Sequence, residues 1–115
     1  MRPEHEELLR RLALNDEAAV EATLGTGLRV HGASSLDART CALVRVAALI
    51  AAESSSASHS WAVEAALVAG ATDDDIVDVL AAVAPIVGLA RVSTAAPKLA
   101  LALDADDLNA HDVTS

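Results

Sequence analysis

Apolar residues return every three or four positions along most of the chain, and no segment alternates apolar and polar positions between turn signals, as a half-buried strand would. The pattern predicts about six helices and no strands. Pro3 suits a first helical turn, where its missing N–H is no loss. Glu4, Glu6 and Glu7 stand at the positive end of that helix, Arg10 and Arg11 toward its negative end, and Leu8, Leu9 and Leu12 make its apolar stripe. Asn15 or Asp16 then caps a short helix reaching about Leu24, which Gly25 and Gly27 end in a flexible connection running to Ser35. From Leu36 to about Ala52 the run LDARTCALVRVAALIAA is apolar on nearly every face, with Leu43, Val46, Ala47 and Ile50 as inner stripe, which predicts a central helix.

Glu53 and the small polar run from Ser54 to Ser58 interrupt this pattern as a loop or a helix start. The following HSWAVEAALVAG reads as about three helical turns closing at Gly70. Thr72 before Asp73, Asp74 and Asp75 is a capping signature: a hydroxyl at the cap, three carboxylates in the first turn, and Asp75 placed to reach back. The helix it starts keeps Ile76, Val79, Leu80, Val83 and Val87 in phase to about Gly88, and Pro85 predicts a kink or break in it. A last helix is expected from about Leu89 to Leu103, with a bend permitted at Pro97. The acidic tail from about residue 104 is expected to be partly disordered.

The length of 115 residues suits a single domain spanning the chain. Aromatic residues are 1% of the chain, Trp61 alone, so the core must be built from Ala, Val, Leu and Ile, whose small members let helices approach closely. A mean hydropathy of +0.38 leaves more apolar surface than a monomer of this size can hide and predicts a homo-oligomer. The net charge of −9 excludes nucleic acid as a natural partner, since that binding rests on cations set against phosphates. The longest uncharged apolar stretch, Val79 to Ala90, falls well short of the roughly 20 residues a membrane span needs, and the N-terminal MRPEHEELLRR is charged where a secretory signal would be apolar, so no membrane association and a cytoplasmic location are expected.

Between Leu36 and Ala96 the order of pieces is LDARTCALVRVAALIAAE, a small polar loop, then WAVEAALVAGATDDDIVDVLAAVAPIVGLA, with Gly70-Ala71-Thr72 ahead of acidic residues and a second glycine at Gly88. This resembles the carboxymuconolactone decarboxylase and alkylhydroperoxidase D-like family. The resemblance implies an all-α bundle of about six helices that intertwines into dimers, trimers or hexamers. In the peroxidase branch it also implies a Cys-x-x-Cys pair at the start of the helix before Gly-Ala-Thr, with a histidine about a turn later. Counting back from Gly70, the cysteine positions hold Ser55 and Ser58 and the histidine position holds Ala62. A hydroxyl has no accessible anion near neutral pH and cannot cycle through a disulfide, so dithiol peroxidase activity is not expected, and the lone Cys41 in an apolar run reads as an inert thiol.

The chemistry that remains gathers at the serine run. His59 titrates near neutrality beside Ser58 with Glu53 upstream, so these three are the candidate catalytic residues; the plain alternative is a solvent-facing histidine near a helix start. Ser55, Trp61, Arg45 and Arg39 are the candidate ligand-binding residues. The arginines would hold an anion or simply snorkel or pair with carboxylates, and Trp61 would fill core or anchor a subunit contact. No metal site is expected, because His5, His31, His59 and His111 are scattered and Cys41 stands alone, and no cofactor is expected. The leading expectation is a divergent, non-redox member that binds a small molecule or serves only structure, a pseudoenzyme. Its rivals are a cofactor-free lyase or decarboxylase acting on a small carboxylate or lactone with His59 as general acid/base, and a pure assembly module built on Trp61.

Overall fold

A computed structural model describes residues 1–25 and 34–114, with side chains as far as residue 103. Among the described residues there are six helices and no strand. They are α1 (Pro3–Ala13), α2 (Glu17–Leu24), α3 (Ala38–Ala51), α4 (Ser56–Val68), α5 (Asp73–Val87) and α6 (Leu89–Thr114). The expected connection through Gly27 and His31 and the side chain of His111 lie outside the described residues. None of the helices is long and apolar enough to cross a membrane.

The chain divides into two compact units, Met1–Ala38 and Arg39–Ser115. In the first, α1 packs on α2. Pro3 stands at the start of α1 and the Asp16 carboxylate accepts the Ala19 N–H at 3.0 Å to begin α2, both as the residues dictate. Glu7 on α1 accepts from Arg10 at 2.7 Å and from Arg11 at 2.9 Å on the exposed side of the helix. Between α1 and α2 lies an open groove of about 340 Å³ with Leu8, Ala18, Ala19 and Ala22 in its wall.

In the second unit the core is a cluster of small and branched residues: Ala42, Val46 and Ile50 of α3, Ala62, Val63 and Ala66 of α4, Ala71, Ile76 of α5, and Ala95 and Leu99 of α6. Its hub is α6, against which both α4 and α5 pack closely, rather than α3 as its all-round apolar sequence suggested. Ala62 and Ala66 of α4 and Ala95 of α6 are buried in the same core cluster, to which α3 contributes Ala42, Val46 and Ile50 while Val44 stays exposed. Helix α5 is continuous through Pro85 to Val87, so no break falls at that proline, and α6 runs through Pro97 and past Leu103 to Thr114; α5 ends at Gly88, whose φ is 88°.

Three helices end in one way. After α1, α3 and α4 the chain passes through Asn15, Glu53 and Gly70, at φ of 59°, 54° and 102°. The residue after each donates its N–H back to Arg11, Leu49 and Ala66 respectively, at 2.9, 3.1 and 2.9 Å. This is the Schellman closure, whose left-handed position favours glycine. Glu53 is the costly occupant, because its Cβ crowds the backbone there.

The start of α5 carries the reciprocal cap read from the sequence. Thr72 Oγ1 accepts the Asp75 N–H at 3.1 Å, and Asp75 accepts the Thr72 N–H at 2.8 Å. The structure adds Arg39 from the start of α3, donating to the same Asp75 oxygen at 2.7 Å. These bonds, that of the Thr72 N–H first and the Arg39 guanidinium next, hold the Asp75 carboxyl below its ordinary 3.8. The guanidiniums of Arg10 and then Arg11 hold Glu7 down to about 2 from 4.5.

Replacing Glu53 with glycine raises the unfolding free energy by up to about 1 kcal/mol in a denaturant titration, because glycine carries no Cβ at that φ. Thr72→Ala lowers it by about 1 kcal/mol. A carboxyl whose pKa is lower folded than unfolded stabilises the fold above its unfolded value and loses that contribution as pH falls. Thermal melts of the parent therefore weaken below about 4.5 and on toward about 2, and Asp75→Asn makes that acid limb shallower.

Candidate functional site

The site begins where α4 begins. Ser55 caps the helix: its Oγ accepts the Ser58 N–H at 3.1 Å and donates to Ser58 Oγ, also at 3.1 Å. The serine run is thus a helix start, and α4 opens at Ser56, three positions before His59. That shift sets the phase of everything after it. His59 falls on the face shared by Ala62, Val63 and Ala66, all buried, and is itself only 1% exposed. The solvent-facing reading of this histidine does not hold, because its helix starts earlier than the apolar pattern alone indicates.

The ring of His59 is held by one nitrogen. Nδ1 lies 2.9 Å from the Ser55 carbonyl oxygen, which also accepts the His59 backbone N–H at 3.0 Å. A carbonyl oxygen only accepts, so Nδ1 carries a proton, and in the neutral ring Nε2 is an acceptor. Nε2 is buried and, among the described residues, has no hydrogen-bond partner. A buried acceptor without a donor costs about 1–3 kcal/mol of lost hydration. One helical turn on, Ala62 is buried in the same face of α4.

The structure brings Ser55, Ser58 and His59 together and does not join them into a nucleophile relay. Ser58 Oγ takes the Ser55 hydroxyl proton, the His59 Nδ1–H is spent on the Ser55 carbonyl, and no hydrogen bond links His59 to Ser58 Oγ. Glu53 stands exposed at the left-handed end of α3, and among the described residues its carboxylate has no partner. Arg39 sits at the start of α3, 44% exposed and paired with Asp75. Arg45 is half-buried on α3 and makes an interaction of its own. Trp61 does not fill core: it is 54% exposed on the outer face of α4, with Val68 at 84% two turns on. Cys41 is a half-buried free thiol. Among the described residues no group of His, Cys, Asp or Glu is arranged to hold a metal ion.

One polar residue at this site went unnoticed in the sequence. Lys98, half-buried on α6, donates from Nζ to the Ser54 carbonyl at 2.7 Å and so ties the hub helix to the connection from which α4 springs. The signal was present in TAAPKLALAL, where a single lysine interrupts an apolar run as Arg45 interrupts α3.

The model of the carboxymuconolactone decarboxylase family matches residues 17–101, well over half of the chain. No curated protein and no solved structure matches it.

The tautomer assigned to His59 has a direct readout. Long-range 1H–15N spectra at pH 7 are expected to show His59 with a protonated Nδ1 and a pyridine-like Nε2. The reverse pattern would mean that the Ser55 carbonyl does not hold the ring.

Proposed function

The chain belongs to the carboxymuconolactone decarboxylase family, and from that premise we propose that it is a non-dithiol member whose small-molecule site is centred on His59, acting as general acid/base in a lyase or decarboxylase reaction on a small carboxylate or lactone. The observation that carries this reading is the bare, buried Nε2 of His59. A general base needs a free lone pair, a fixed tautomer and a dry setting, and the Ser55 carbonyl supplies the second by binding Nδ1–H. In a decarboxylation Nε2 takes the proton of the substrate's carboxyl group, the C–C bond to that group breaks with release of carbon dioxide, and the proton is returned to the carbon that keeps the electron pair. Ser55 and Ser58 stand where relatives of the peroxidase branch keep thiols. Their hydroxyls bond to each other and position the helix start, and neither can pass through a disulfide.

A specific observation also favours assembly. Trp61 and Val68 expose a large apolar strip on α4, and Val77, Ile86 and Leu89 are likewise exposed. Tryptophan anchors interfaces well, and burying such a strip stabilises by about 25 cal/mol per Å². The proposed protein is therefore a homo-oligomer. If no chemistry is found, a non-catalytic small-molecule-binding or structural member and a pure assembly module are the readings that remain.

The test is depletion of a panel of small carboxylates and lactones by the purified chain, followed by mass spectrometry, alongside thiol-dependent peroxide reduction. Turnover is expected to fall by about 10²-fold or more in His59→Gln and to persist in Cys41→Ser, with no peroxide reduction in either. Peroxide turnover that survives Cys41→Ser and disappears in Ser58→Ala would overturn the proposal, as would carboxylate or lactone turnover indifferent to His59→Gln.

A further inference from the structure

Helix α5 gives Ile76, Val79, Leu80, Val83 and Val87 to the core. At 3.6 residues per turn its opposite face carries Asp74, Asp78, Ala81 and Pro85, flanked by Val77 and Ile86, and all six are exposed. Ile86 is 86% exposed, and Leu89, just past the turn at Gly88, is 79% exposed. Apolar side chains that follow one another at helical spacing along an outer face mark a contact surface, unlike the scattered exposure any protein shows.

The charges on this face are sorted by end. Asp74 and Asp78 stand near the start of α5. At the other end Arg91 Nη1 donates to the Val87 carbonyl at 3.5 Å, which sets the guanidinium at the last turn of the helix. Arg2, Arg10, Arg11 and Arg39 each have an acidic partner, but among the described residues no carboxylate pairs with Arg91 and no cation with Asp74 or Asp78. A face that runs from acid through small apolar residues to base is self-complementary when reversed. Laid antiparallel on a copy of itself, it sets base against acid at both ends at once, as a two-fold interface requires. A parallel neighbour would set acid against acid.

The register follows from the helical rise. Asp74 and Val87 are roughly 20 Å apart along the axis at 1.5 Å per residue, and the midpoint falls at Ala81. A methyl side chain there lets two backbones approach closely. A two-fold axis at Ala81 also brings Val77 of one copy over Pro85 of the other.

We propose that α5 is the seam of a two-fold homodimer, in which the outer faces of two copies pair antiparallel about Ala81 and Asp74 of each copy meets Arg91 of the other. The proposal rests on the reading of the chain as a homo-oligomer and adds the helix that pairs, its direction and the charges that align it.

The test uses the full-length chain. Light scattering over a dilution series is expected to give a mass of two copies or a multiple of two. Arg91→Glu and Asp74→Arg each weaken the dimer about tenfold or more, and the double variant, with the charges exchanged, returns to within about threefold of the parent, all with an unchanged helical circular dichroism spectrum. In a Cys41→Ser background, Ala81→Cys is expected to give a covalent dimer with a short bismaleimide, since the two-fold axis brings residue 81 against itself. That cross-link decides the proposal even if a charge-reversed variant fails to fold. A single-copy mass at every concentration would overturn both the seam and the assembly reading. An oligomer that both single reversals leave undiminished, or one in which Ala81→Cys gives no covalent dimer, overturns the α5 seam alone and leaves assembly through the Trp61 face of α4.

Discussion

The start of α4 is the constraint on which the site depends. Ser55 accepts the Ser58 N–H on its hydroxyl and gives its carbonyl to both the backbone and the ring of His59. The first set of bonds fixes where the helix begins, and a helix that begins at Ser56 has no freedom left in which face each later residue occupies. His59 turns inward with Ala62, Val63 and Ala66, and Trp61, two residues on, turns outward. A start three residues later would not change the local propensities, but it would leave the serines uncapped and the imidazole without its carbonyl.

The scarcity of large side chains shapes the rest. With one aromatic residue in the chain, the core of the second unit is filled by small and branched residues, Ala62, Ala66 and Ala95 among them. Small side chains bury little apolar area each, and the outer faces keep what is left: Trp61, Val68, Val77, Ile86 and Leu89. A small dense core and an apolar exterior therefore have one cause in composition.

Charge is used at the joints between elements rather than spread evenly. Asp75 closes the cap of α5 and at the same time receives Arg39 from the start of α3, so one carboxylate fixes two helix ends. Lys98 does the corresponding work at the other joint, from α6 to the α3–α4 connection, but through a neutral carbonyl.

Much of the fold was legible in the residues. The six helices, the reciprocal cap at Thr72 and Asp75, the Asp16 cap and the absence of strands from the described residues rest on interactions within a few residues of one another, which is the range over which a sequence pattern carries information. The order of Gly-Ala-Thr and acidic residues was enough to suggest the family to which the chain belongs. What the pattern left open depended on phase or on distant contacts. Whether the serine run was loop or helix could not be read from small polar residues that suit both, and with it hung the burial of His59 and the exposure of Trp61. Which helix would be the hub depended on how α4 and α5 pack against α6, which the pattern along one helix does not carry. Arg39 reaches Asp75 across 36 positions and Lys98 reaches Ser54 across 44. Local bonding along the backbone was decided by the sequence itself, whereas the pairing of these charges, and the lone pair left on His59, exist only once the chain has closed on itself.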